Sequence, residues 1–144
     1  MLVLHPDDRP QDKYPELKFR LLDDSFAICR LPATDLIPEW ASKGIFTSIT
    51  RTSDELSIVC PAENVPEQHK PEIPWVCLKI EGPFAFSEVG ILQAFIQPLV
   101  ENNIPIFAIS TFDTDYVFVQ STFVEMALHA LQGAGHEIIS NGQS

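Results

Sequence analysis

Apolar and polar positions alternate along most of this chain with the two periods that proteins use, and where the period changes the element changes. Trp75–Ile80 is a mostly apolar run that turns through Gly82-Pro83. From Ser87 the spacing becomes helical, with Leu92, Phe95, Ile96 and Leu99 on one stripe. Two strand-like runs follow, Ile104–Thr111 and Tyr116–Val119, then a helical stretch with Val124, Ala127, Leu128 and Leu131 as its stripe. His136–Ser140 closes the chain as an edge strand. The second half thus reads βαββαβ. Ser87 is the expected N-cap of the first helix, with Phe86 and Ile91 as a hydrophobic staple. Thr122 and Glu125 form a capping-box pair for the second, and Pro98 predicts a kink or a tightened turn in the first.

The first half reads ββαββα. After an extended lead-in, residues 1–15, come Leu17–Leu22 and Phe26–Leu31, a hairpin by composition about Asp23-Asp24-Ser25. A short helix, DLIPEWASKG, presents Leu36, Ile37 and Trp40 on one face and stops at Gly44. Ile45–Arg51 and Leu56–Cys60 form a second hairpin, and Glu63–His69 supplies one or two helical turns before the connector Lys70–Pro74. The expected fold is α+β. It consists of two tandem ferredoxin-like βαββαβ modules, residues 16–70 and 71–144, with antiparallel sheets covered by helices on one face. In this reading Leu17–Leu22 takes the place of a fourth strand in the first module. The alternative is one mixed domain with an N-terminal extension.

Composition narrows the chemistry. With 20 acidic and 9 basic side chains the formal charge is −11, and Lys79 is the last Lys or Arg. Nucleic-acid binding requires a basic footprint to displace counterions, so that class is excluded. No apolar run reaches the roughly 20 residues of a spanning helix, and no membrane association is expected. The start of the chain does not read as a secretory signal. Cys29, Cys60 and Cys77 all fall in apolar runs without C-x-x-C spacing, which points to buried free thiols and a cytoplasmic address. The four histidines lack metal-ligand spacing, and no P-loop, G-x-G-x-x-G or G-x-S-x-G is present. The sequence therefore predicts no catalytic residues, no metal and no cofactor.

One constellation remains. In EGPFAFSEVGI a helix start offers backbone N–H groups to a carboxylate, and Gly90 leaves room beside it. In ISTFDTDY, Asp113 and Asp115 sit on a hairpin in a half of the chain that is almost free of cations. An α-amino acid carries both charges a few ångströms apart and suits such a pair of poles. Singly, Gly90, Glu88 and Asp113 also have structural readings: relief of crowding, complement to the helix dipole, and turn former.

The stretches E-G-P-x-x-F-S-x-x-G-I-L and I-x-I-F-A-I-S-T-F-D-T-D-Y resemble the ACT domain, in the form found in small tandem-ACT proteins, the aspartokinase-type regulatory pair and cytosolic arginine sensors. FAICRL and FTSITRTSDELSIVCP suit the companion module. The resemblance implies a non-enzymatic, regulatory, allosteric protein binding an amino acid at an interface between modules or subunits. It implies ligand-facing positions at Ala85, Glu88, Val89, Gly90 and Ile91, and at Thr111, Phe112, Thr114 and Asp115. Asp115 and Glu88 stand where the sensors favour a cationic ligand such as arginine or lysine, whereas Ala85 and Thr114 depart from their pattern. A homodimer and a regulated protein target are the implied partners. An interaction module of the same fold that has lost its ligand is the alternative.

Overall fold

The computed structural model describes residues 15–84 and 89–140. Its spine is β1, Lys18–Leu31, a single strand of 14 residues. The expected hairpin at Asp23-Asp24-Ser25 does not form. Nothing there supplies the positive φ of a tight hairpin turn, and the strand stays paired on both sides of this point. Against β4, Trp75–Ile80, Leu21 faces Leu78 and Ser25 faces Val76, so four steps along β1 meet two along its partner. The excess is even, and the alternation of faces survives it. Phe19, Leu21, Ala27, Cys29 and Leu31 consequently turn to one side, and Leu22, Phe26 and Ile28 to the other.

This strand joins the two halves into one sheet. Its second part pairs with β3, Leu56–Pro61, which pairs with β2, Ser48–Arg51. Its first part, from Phe19 to Phe26, pairs with β4, followed by β6, Asp115–Gln120, and β5, Phe107–Ser110. The order is β2-β3-β1-β4-β6-β5, antiparallel throughout, and β7, Glu137–Ile138, adds a parallel pairing to the start of β1. The start of β1 therefore lies beside β4, the first strand of the second half, and not within a sheet of the first half alone. Burial explains the preference. Phe19 is fully buried against Phe95, the rings edge-to-face at 5.3 Å, and a buried side chain of that size contributes about 2–3 kcal/mol.

Helices α1, Ile91–Glu101, and α2, Val124–Gly133, cover one face, packing Phe95, Leu99, Ala127 and Leu131 onto Leu78, Ile80, Val117 and Val119. On the same face a second cluster gathers Ala27, Cys29, Ala41, Ile58 and Cys60. The opposite face carries Phe26, Phe46, Val59, Cys77 and Phe118, with Trp75, Phe107 and Tyr116 around them. The fold is thus a mixed α+β arrangement with an antiparallel sheet and few helices.

Several boundaries move from their sequence expectations. The helix expected around Leu36 is one 3-10 turn, Glu39–Ser42, and Leu36 and Ile37 are exposed. Pro38 holds the chain extended, and a residue before proline is steered away from helical angles. Helix α1 starts at Ile91, after Gly90, so Ser87 is not its cap; Ser87 and the staple residue Phe86 lie outside the described residues. A 3-10 turn, Ser121–Phe123, runs directly into α2, and no side-chain cap forms from Thr122. Pro98 remains inside α1 without ending it. The acceptor it leaves, the Ala94 carbonyl, lies 2.9 Å from Nε2 of buried His136.

Candidate functional site

Strands β4 and β6 are neighbours, so the loop leaving β4 and the turn entering β6 emerge at the same end of the sheet. Residues Thr111–Thr114 form that turn. The Thr111 N–H donates to the Thr114 carbonyl at 2.8 Å, and the Thr111 hydroxyl donates to the same oxygen at 3.0 Å. Thr114 is buried, and its hydroxyl donates to the Ile80 carbonyl at 2.7 Å, tying the turn to the end of β4. From the other side the Phe84 N–H donates to the Asp113 carbonyl at 3.0 Å. Gly82 permits this contact: a Cβ there would stand 2.9 Å from the Asp113 oxygen, closer than side chains approach backbone. The segment leading toward α1 is thereby locked against the aspartate-bearing hairpin.

The nominated residues fall into three groups. Ala85 and Glu88 lie outside the described residues. Thr114 and Ile91 face inward, Thr114 through its bond to Ile80 and Ile91 by packing on the core beneath α1. Val89 and Phe112 project outward, 88% and 77% exposed. Gly90 has φ +81° and open space where a side chain would stand. Thr111 and Asp115 complete the hairpin. The first helical bond runs from the Ala94 N–H to the Gly90 carbonyl, so the amide of Ile91 precedes the helical ladder.

Asp115 is half-buried and accepts a hydrogen bond from the Ser110 hydroxyl, its partner across the β5–β6 ladder. Among the described residues neither Asp113 nor Asp115 has an ion-pair partner. Burial first, and the neighbouring Cys77 and Asp113 after it, push the Tyr116 phenol above its ordinary value. Ser110, Gly82 and the Ile80 carbonyl were not among the expected site residues. Only Gly82, in a Gly-Pro pair beside a strand end, carried a sequence signal.

A groove of about 590 Å3 opens elsewhere, between α1 and α2, and none of the nominated residues that are described lines it. Among the described residues no group of three His, Cys, Asp or Glu side chains is placed to hold a metal, and no helix is long and apolar enough to cross a membrane.

Residues 71–133 match the model of the ACT domain, and ACT domain proteins are typically regulatory. A second model, of an N-terminal domain, matches residues 24–68. The chain is similar to protein Atu0741 of Agobacterium tumefaciens, at 46% identity over 87% of this chain and 93% of that one, with a TM-score of 0.80. It shares its fold with Vibrio cholerae VC0802, a protein of unknown function described as a possible transport protein. Identity there is 20%, over 84% of this chain and 91% of that one, with a TM-score of 0.65. Clostridium acetobutylicum aspartate kinase, an allosteric enzyme, shares the fold at 12% identity and a TM-score of 0.55, over 79% of this chain and 34% of the kinase.

Proposed function

We propose that this chain is a cytoplasmic, non-catalytic sensor that binds an amino acid where the hairpin Thr111–Asp115 meets the start of α1, and that it works as a homodimer regulating a protein target. The observation that carries this reading is the docking of the hairpin on the segment before α1, through Phe84, Gly82 and Thr114. The ligand's ammonium, or a cationic side chain, meets the carboxylate of Asp115, with Glu88 as its second acidic partner. Its carboxylate meets backbone N–H groups around Val89–Ile91. Residues 16–70 and 71–144 act as companion ACT-like modules, a division supported by family matches that end at residue 68 and begin at residue 71.

The exposure of Val89 and Phe112 supports placing the site at an interface. One protomer leaves the ligand's apolar flank open, and a second copy closes it. The ligand then bridges the two and stabilises the pair by mass action. A thermal-shift screen of the twenty amino acids, with Asp115→Ala as control, tests this. A shift with one or a few of them that the substitution abolishes is the expected result. No shift with any at millimolar concentration sinks the ligand reading and leaves an interaction module of the same fold.

A further inference from the structure

We propose that the sheet face opposite the helices is covered by a second copy of this chain, each copy's Lys79 meeting the other's Asp113. An antiparallel strand with one wet face alternates apolar and polar residues, whereas a strand covered on both faces is apolar nearly throughout. Five of the six residues of β4, WVCLKI, are apolar, and β6 runs Tyr116-Val117-Phe118-Val119 without a break. Helices α1 and α2 cover the side that holds Leu78, Ile80, Val117 and Val119. On the other side, among the described residues, Phe46 is the one member of the apolar cluster that comes from outside the strands. Its ring meets Phe26, Tyr116 and Phe118. Trp75, Phe107, Ile109 and Tyr116 stay half-buried around it, and the neighbouring Ile45 is 62% exposed. These strands carry the sequence of a sheet covered twice.

Charge identifies the second cover. Arg20, Lys79, Tyr116 and Ile109 stand in one row across β1, β4, β6 and β5, on the same face as Cys77 and Phe118. Arg20 pairs with Glu81, but among the described residues Lys79 has no ion-pair partner. Asp113, also without one, is exposed in the turn that enters β6. After burial and Cys77, its charge helps raise the Tyr116 phenol, which puts the carboxylate at this end of the face. A face with an unpaired cation and an unpaired anion at one end is complementary to itself. In an isologous pair both bridges form together, whereas a partner of one charge sign satisfies one group and repels the other. The inference rests on the homodimer of the proposed function and gives that dimer a contact surface, without calling on the ligand.

Sedimentation velocity of the full chain without ligand is the test. The expected result is a dimer that Lys79→Asp and Asp113→Lys each weaken by about a hundredfold, since each substitution sets like charges together in both bridges. Mixed in equal amounts, the two variants associate again, because each bridge then joins opposite charges; a defect within one chain is not repaired by mixing. Circular dichroism checks that both variants fold. The unsubstituted chain gives a second readout: methyl signals of Ile45 and Ile109 shift on dilution, while those of Leu131, buried beneath α2, do not. A monomer at every concentration overturns the proposal. So does a dimer that neither reversal weakens, failure of the folded variants to recover on mixing, or dilution shifts confined to other surfaces. The ligand reading is tested by the amino-acid screen with Asp115→Ala, which leaves Lys79 and Asp113 in place, so either can fail alone.

Discussion

The imidazole of His136 reaches the carbonyl of Ala94, the acceptor that Pro98 leaves without its helical N–H. In an unbroken helix residue 98 would donate to the Ala94 carbonyl; here Nε2 of His136 lies 2.9 Å from that oxygen. The other ring nitrogen accepts the Leu17 N–H at 3.0 Å. An amide can only donate, so Nδ1 is the bare nitrogen and the proton sits on Nε2. One neutral side chain thus satisfies a helix interrupted by proline and the first residues of the strand that joins the halves. His136→Phe leaves both partners unpaired at buried positions and should cost about 2 kcal/mol or more. Pro98→Ala returns a backbone donor to Ala94, so in that background the histidine should matter less, by about 1 kcal/mol. Urea unfolding of the two single variants and the double variant measures this coupling. Strictly additive costs would show that the imidazole does not stand in for the proline.

Part of this architecture is legible in the sequence. The alternation in β1 is visible from Phe19 to Leu31, as are the stripes of α1 and α2. The break at Asp23-Asp24-Ser25 reads as a turn because local composition contains no trace of β3 and β4, whose pairing across a distance of tens of residues holds the strand straight. Leu36 and Ile37 read as a helical face until the backbone effect of Pro38 is weighed against their apolarity. At the candidate site the Asp115-bearing hairpin and the segment before α1 are legible as neighbours. The bond from Thr114 to Ile80 is not, because a threonine in a turn carries no mark of which way its hydroxyl will point.

That bond makes a second prediction. Thr114→Val keeps the shape and removes the donor to the Ile80 carbonyl, leaving a buried acceptor unpaired. A loss of about 1–3 kcal/mol is expected. Thr114→Ser keeps the hydroxyl and should lose less. If denaturant unfolding ranks the two variants equally, the hydroxyl does not hold the hairpin to β4.

Two glycines should respond with opposite signs. Gly44 has φ +129°, and a Cβ there would stand 2.4 Å from Cγ of Pro61. Gly44→Ala combines backbone strain with a clash against a stiff ring and should destabilise by more than about 1 kcal/mol. Gly133 is helical with open space around it, so Gly133→Ala should be neutral or stabilise by up to about 1 kcal/mol. Paired melting curves are the measurement, and a destabilised Gly133→Ala would mean that something fills the space beside it.

The three thiols give the alkaline limb of stability. Cys29, Cys60 and Cys77 are buried and free, and burial raises all of them; Cys60 is pushed up to about 11 by burial first and by the Cys29 charge second. A pKa higher in the folded state means that the protonated thiol favours folding. Its contribution is complete below the ordinary value of 9.0 and is lost as pH rises toward the folded value. Stability should therefore be insensitive to these groups near pH 7 and fall increasingly above about pH 9. Cys60→Ala should flatten that fall while costing some stability at neutral pH through the lost sulfur. Urea midpoints from pH 7 to 11 test the slope, and an unchanged alkaline slope in the variant would remove Cys60 from the account. A thiol-reactive chromophore adds an independent check: little reaction while the chain is folded, and three equivalents once it is unfolded.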